Sequence, residues 1–291
     1  MSAAARRRVD IAPPQETRHA LRGHSGARIV LHAGQARSFV RKTAASPSQN
    51  ERLLGQAEKQ RRLGRSGIPF PQVLMSGFDA QGCAFFDMAY IPGRTLADAV
   101  VNAMPLASGT VFAAVERMLW LFRSCRGEAL DAGAFKAKIA AIRDGAHGND
   151  AARDCAQRLL GFDWNGIPAS PSHGDLTLEN IMLGPGRDIV FIDCDEPWVS
   201  SYWLDLGKLY QDLRGHWCLR RLPEPDVQRA NAVEKLMQLD MLLRPLVERD
   251  LAERLPQLVA LNLFRALPYA ADIDTAGFIC ARVRRMLEHP R

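Results

Sequence analysis

The sequence predicts an α+β fold in two lobes, a small β-rich lobe followed by a larger helical one. Three observations carry this. The first third of the 291 residues alternates short apolar runs with glycine-containing turns. From Thr95 onward the chain reads as a succession of helices. A single β-rich interruption, at 181–193, breaks that helical stretch. Pro92-Gly93 separates the two regimes and gives three parts: a mobile tail over 1–18, a first lobe over 19–92 and a second over 93–291.

Taken in order, residues 18–23 lead into a tight loop, Gly23-His24-Ser25-Gly26. Residues 27–32 run extended and apolar, Ala33-Gly34-Gln35 turns the chain, and 37–42 returns as a second strand. Ser46-Pro47-Ser48-Gln49 then reads as a helix start, with Ser46 as N-cap, Pro47 in the first turn and Gln49 completing a capping box. Leu53, Leu54, Ala57 and Leu63 give that helix an apolar stripe, and Gly64 and Gly67 end it. Strands follow at 73–75 and 83–88, joined by a turn over 79–82. The helical remainder divides into 96–103, 108–124, 133–143, 149–160, 205–221, 227–249, 256–265 and 275–288.

Composition narrows the function. The formal net charge is +6, and its local sources are Arg6-Arg7-Arg8 and the set Lys59, Arg61, Arg62 and Arg65. No aromatic residues interleave with these charges, so they read as a solvated tail and helix face, and no nucleic-acid partner is expected. No apolar run approaches the roughly 18 residues of a membrane span, so no stable membrane insertion is expected. The first 18 residues lack the apolar stretch of a secretory signal. Six cysteines are scattered with no C-x-x-C pair. That argues against a zinc or redox motif and for free thiols in the cytoplasm. Nothing in the sequence sets the oligomeric state.

The chemistry concentrates in Ser172-His173-Gly174-Asp175-Leu176-Thr177-Leu178-Glu179-Asn180, followed by Ile189-Val190-Phe191-Ile192-Asp193. Asp175 stands in a polar loop beside a glycine. Asn180 comes just before an apolar strand. After a turn over 184–188, a second apolar strand ends at Asp193. Such a hairpin brings two carboxylates and an amide carbonyl to one mouth. These are hard oxygen ligands, the type magnesium takes when it also binds phosphates. A carboxylate left free of metal can accept a hydroxyl proton.

His173-Gly174-Asp175, Asn180 and Ile192-Asp193 together resemble the catalytic loop and metal-binding aspartate of the aminoglycoside phosphotransferase and choline kinase superfamily. The resemblance runs in order over roughly residues 20–215. It implies a protein-kinase-like fold and an ATP- and Mg²⁺-dependent phosphoryl transfer to a small-molecule hydroxyl acceptor. Asp175 then matches the catalytic aspartate, Asn180 and Asp193 the magnesium ligands, and His173 a structural histidine. Lys42, near the end of its strand and on one face with Val40, matches the phosphate-binding lysine. Glu58 on the next helix is placed to pair with Lys42, with Glu51 as the alternative. Ser25 and Gly26 match the phosphate-covering loop loosely, since the full glycine pattern is missing. Met88, Ala89 and Ile91 fall where a hinge would bond adenine through its backbone.

Other residues keep two readings. Asp205 can be a helix N-cap or, as in the family, a brace for the catalytic loop. Asp195 and Glu196 can be substrate ligands, a further metal contact or solvated charges. Trp198, Trp203 and Trp217 read as core packing, with a sugar-stacking platform as the alternative. Cys194 reads as an inert core thiol. A protein kinase would carry D-F-G and A-P-E; here Asp193 is followed by Cys194, and only eleven residues separate it from Asp205. A pseudokinase would have lost one of Lys42, Asp175, Asn180 or Asp193, and all are present. From Glu224 to Arg291 there are ten acidic and ten basic residues, without the acidic excess of a polycation pocket. Arg214, His216, Trp217 and Arg220 point instead to a neutral or anionic acceptor, a sugar or sugar derivative first, with an aminoglycoside or choline-type amino alcohol as the alternative.

Overall fold

The structure is a computed structural model and describes residues 17–21, 26–34, 38–146, 148–223, 226–270 and 272–288. It divides into two compact units. The first holds the described residues up to Ala57 with Gln72–Tyr90, and the second holds Glu58–Pro71 and the chain from Ile91 onward.

The first unit is an antiparallel sheet. Its strands are β1 (Thr17–Leu21), β2 (Arg28–Ala33), β3 (Phe39–Thr43), β4 (Val73–Phe78) and β5 (Ala84–Ala89), in the order β1-β2-β3-β5-β4. Residues 1–16 of the expected tail lie outside the described residues, and Thr17 and Arg18 already belong to β1. Helix α1 (Asn50–Arg65) follows a single 3₁₀ turn over Pro47–Gln49. The expected capping box does not form: Ser46 Oγ meets Ser48 Oγ at 2.8 Å and makes no cap bond. Asn50 anchors the helix start instead. Its amide donates to Gly82 O at 2.9 Å and accepts from Ala84 N at 2.6 Å, tying α1 to the β4–β5 turn. Leu53 and Ala57, one helical turn apart, pack with Ala84 and Phe86 into a small core.

The second unit is mainly helical: α2 (Leu96–Val101), α3 (Ser108–Ser124), α4 (Ala132–Gly145), α5 (Asp150–Leu160), α6 (Tyr202–Leu213), α7 (Val227–Leu243), α8 (Arg249–Phe264) and α9 (Ile273–Glu288). A small sheet, β6 (Arg94–Thr95), β7 (Ile181–Leu183) and β8 (Ile189–Phe191), is the β-rich interruption, joined by a two-residue strand that local pattern does not reveal. Helix α6 starts at Tyr202, three residues before the expected start, with the Ser201 side chain capping it. Arg244-Pro245 breaks the expected 227–249 helix at Leu243. Pro256 lies inside α8 rather than opening it. Helix α6 is buried along nearly its whole length and packs against α7 and α8, with α9 on α8. This central helix sets the position of the catalytic loop.

Candidate active site

In the first unit, β3 alternates as its sequence requires: Val40 and Lys42 share the buried face. Lys42 is only 2% exposed, and its Nζ donates to Gln56 Oε1 at 3.0 Å. The expected Glu58 partnership is therefore corrected. Glu58 is exposed and pairs with Arg61 on its own helix at 3.5 Å, and the alternative Glu51 is exposed in the first turn. The reason is helical geometry. Two positions along a helix rotate the side chain by about 200°, so Gln56 and Glu58 face opposite ways. On β5, Ala89 N–H donates to Gln72 O at 2.9 Å. The next amide, Tyr90 N–H, goes to Ser38 O at 3.4 Å. Ala89 thus has no N–H to offer a ligand, whereas Ile91 N–H has no partner among the described residues. Ser25 lies outside the described residues; Gly26 is exposed with a left-handed φ of 75°.

In the second unit, the hairpin forms with Ile181 opposite Phe191. Just before β7, Asn180 donates its amide to Asp175 O at 2.7 Å and to Asp175 Oδ2 at 2.9 Å. Just after β8, Ile192 N–H donates to Asn180 O at 3.0 Å, so Asp193 is delivered one residue beyond that bond. Asp193 takes φ 57°, a strained conformation for a side chain with a Cβ and one that concentrates at functional sites. Asp175 and Asn180 are thus bonded to each other, and Asp193 follows one residue beyond a backbone bond to Asn180. Asn180 spends its N–H groups on Asp175, which leaves its carbonyl oxygen as a ligand. That oxygen and the Asp193 carboxylate fit a magnesium ion completed by phosphate oxygens. Among the described residues no group of three or more His, Cys, Asp and Glu could hold a metal.

The loop is braced from α6. Asp205 is not the N-cap; its carboxylate accepts the His173 N–H at 2.5 Å and the Gly174 N–H at 2.8 Å. About two turns later, Asp212 accepts the Leu178 N–H at 2.8 Å. Between them Lys208 Nζ stands 3.3 Å from Asp175 Oδ1. Positions 205, 208 and 212 lie on one helix face, so one stripe of α6 holds the loop at three points. Burial pushes the Asp205 and Asp212 carboxyls up to about 7, against the N–H bonds that favour their ionised forms. His173 is fully buried, and its ring stacks on Phe70 with centroids 5.6 Å apart. Its Nδ1 accepts the Asp175 N–H at 3.3 Å, and burial pulls its pKa down to about 4. That is a neutral ring fixing the loop backbone. Gly174, at φ 94°, passes so close to Asp195 that an added Cβ would meet the Asp195 carbonyl oxygen at 2.1 Å.

Sequence reasoning missed four residues here. Lys208 was readable from its i+3 spacing to Asp205, and Gln56 from its place on the buried stripe of α1. Lys59, 3% exposed, donates to Asp195 O at 2.5 Å and stands 3.8 Å from Glu196. Its buried character breaks the expected solvated face. Arg265, after α8, has no local signal. Glu196 also meets Arg62 at 3.8 Å. Trp203 is buried core, whereas Trp198 packs edge-on against Phe135 and Trp217 lies beneath the Arg220 guanidinium. Arg214 is corrected as an acceptor contact: Asp240 holds it with bonds of 3.0 and 3.1 Å.

A sheet presenting a buried lysine and a helical unit presenting this loop are the parts of a small-molecule kinase. Solved structures share the fold. A thermostable mutant of aminoglycoside phosphotransferase APH(4)-Ia, in ternary complex with AMP-PNP and hygromycin B, matches with TM-score 0.62 and 14% identity over 94% of this chain and 93% of that one. A putative fructosamine-3-kinase from Haemophilus somnus 129PT matches with TM-score 0.57 and 14% identity over 94% and 91%. Aminoglycoside phosphotransferase APH(3'')-Id from Streptomyces rimosus ATCC10970 matches with TM-score 0.53 and 18% identity over 93% and 92%. No curated protein sequence matches the chain. The model of the phosphotransferase enzyme family matches residues 17–266, and the chain belongs to that family. It is a phosphotransferase with an alcohol group as acceptor.

Proposed function

We propose that the chain transfers the γ-phosphoryl group of ATP, with magnesium, to a hydroxyl of a sugar or sugar derivative. The observation that carries this is the Asp175–Asn180 pairing beside Asp193. It leaves one carboxylate for a hydroxyl and two oxygen ligands for a cation. On this reading Asp175 accepts the acceptor's proton as the oxygen attacks. Lys208 and Asn180 hold the Asp175 carboxylate in place through separate oxygens. Asn180 and Asp193 would hold the magnesium ion, which would supply neutralisation of phosphate charge. Lys42, aligned by Gln56, contacts the phosphates, and the Met88–Ile91 stretch takes the adenine with the Ile91 N–H. The AMP-PNP bound to APH(4)-Ia supports a nucleotide here. The six free cysteines suit a cytoplasmic setting, where ATP is supplied.

A second reading, an aminoglycoside or amino alcohol kinase, draws on the names of the structural neighbours. The carboxylates of the helical unit speak against it. Glu179 meets Arg220 at 3.5 Å, Glu196 meets Lys59 and Arg62, and Asp240 holds Arg214. A polycation needs carboxylates without such partners. The test is ADP release with Mg·ATP over a panel of sugars, kanamycin-like aminoglycosides, choline-like alcohols and hydroxy amino acids. Turnover of a sugar or sugar acid is the expected result. Efficient kanamycin phosphorylation overturns the sugar assignment.

A further inference from the structure

Arginines of the helical unit occur in distinct settings. Arg214 is matched by Asp240 and lies over the Tyr210 ring. Arg229, buried, gives one Nη to the Leu219 and Leu222 carbonyls at 2.7 and 2.8 Å. Arg265 differs from both. It caps the C-terminus of α8 and is half-buried, and its Nη1 donates to Asn262 Oδ1 at 2.9 Å. Among the described residues no carboxylate touches it. Asn262, fully buried, donates its own amide to the Leu204 and Leu258 carbonyls, which fixes the oxygen that Arg265 meets. The guanidinium lies beside the Trp198 ring at 5.9 Å.

The surroundings connect this group to the catalytic loop. Asn262, which Arg265 bonds, is held in turn by the Leu204 carbonyl, and the next residue, Asp205, holds the His173 and Gly174 amides of the loop. Burial pulls the Arg265 pKa down, and the charge that most opposes this is Asp175. The guanidinium therefore stands in the field of the catalytic carboxylate without pairing to it. A cation at a helix C-terminus is ordinary. That accounts for the sign of the charge, but not for a half-buried five-donor fork that bonds one neutral oxygen. Such a fork matches a carboxylate or phosphate. Lys208 adds a second cation beside the base, 18% exposed.

Resting on the phosphotransferase reading, we propose that Arg265 is the specificity residue of the acceptor site, binding an oxyanion carried by the same molecule whose hydroxyl meets Asp175. The acceptor is then a hydroxy acid or hydroxy phosphate rather than a neutral alcohol.

The test uses the full chain and matched acceptors. Glucose is compared with glucuronate and glucose 6-phosphate, and glycerol with glycerate and glycerol 3-phosphate, so that the carboxylate and phosphate arms are separated. Kanamycin serves as the cationic member. Release of ADP gives kcat and KM for wild type, Arg265→Gln and Arg265→Lys. A melting shift with Mg·AMP-PNP reports that each variant is folded. The expected result is turnover of an oxyanion member above its neutral partner. Arg265→Gln should raise KM for it by about 10- to 100-fold with a smaller change in kcat, and Arg265→Lys should recover part of the loss. Preference for neutral or cationic members overturns the proposal. So does no turnover of any oxyanion while Mg·AMP-PNP still shifts melting, or a KM indifferent to Arg265→Gln. Absence of any nucleotide shift in wild type removes the phosphotransferase reading itself, and this inference with it.

Discussion

Asp175 and Asp193 are both half-exposed carboxylates in one hairpin, yet their neighbours give them different work. Asp175 has one oxygen bonded by the Asn180 amide and the other beside Lys208, and its side chain is 41% exposed. It is held but reachable, as a base for an incoming hydroxyl must be. Asp193 stands two residues beyond β8 with a left-handed backbone, just after the Ile192 N–H that bonds the Asn180 backbone carbonyl. Asp175→Asn should lower turnover by at least about 100-fold while nucleotide binding persists, because a general base supplies about 10²–10⁴ in rate. Asp193→Asn should weaken magnesium-dependent nucleotide binding as well. Calorimetric titration with Mg·AMP-PNP beside ADP-release kinetics separates the two. Equal loss of binding in both variants would end this division of roles. These residues were legible because Asp175, Asn180 and Asp193 lie within one short hairpin whose pattern fixes their geometry. The partner of Lys42 was less so: reading Glu58 for Gln56 is an error of two residues, and on a helix that selects the opposite face.

Helix α6 shows why an element can position a site without touching substrate. Its Asp205, Lys208 and Asp212 reach the backbone of His173 and Gly174, the Asp175 side chain and the backbone of Leu178 in turn. Most helices were readable from apolar spacing and turn residues. The ends of α6, α7 and α8 were not, because a serine cap and two prolines each permit more than one register. The segment after β8 meets the loop at Gly174, where the Asp195 N–H also donates to His173 O at 3.0 Å. Gly174→Ala places a Cβ against the Asp195 carbonyl and holds an alanine at φ 94°. Both effects force the two segments apart. The expected loss is about 2–3 kcal/mol of stability, or about 3–5 °C in Tm, with turnover lost well below the melting range. Calorimetric Tm and low-temperature kinetics check this. A variant with wild-type Tm and turnover would show that the close approach is not required. Arg265 marks the limit of local reading: it belongs to the loop's surroundings only through the packing of α8 on α6.

At the scale of the whole molecule, the groups that brace the loop also set how stability responds to pH. Asp205 and Asp212 are buried, and burial pushes both up to about 7. An unfolded aspartate titrates near about 3.9. Between those values the native state holds protons that the unfolded chain has released. Stability then decreases with pH. The contribution is fully present below about 4 and lost as pH rises through about 7. His173 acts in the opposite sense. Burial pulls it down to about 4 from the ordinary value near 6.5, so its contribution is present above about 6.5 and lost as pH falls through about 4. Two aspartates against one histidine leave a net decline toward neutral pH from this set. Asp212 offers the cleanest isolation, since its Oδ2 accepts the Leu178 N–H while its buried Oδ1 has no partner among the described residues. Asp212→Asn keeps an oxygen for Leu178 and cannot ionise. Compared with wild type at pH 5, the variant should be similar or slightly less stable. At pH 8 it should melt several degrees higher, because only the wild type must then carry a buried negative charge. Calorimetric Tm from pH 5 to 8 on both proteins measures the difference directly. A difference that stays constant across that range would mean that Asp212 is ionised throughout, held so by Leu178 and the nearby Lys208 and Arg220, and that the α6 brace works as a fixed charge rather than a protonated acid.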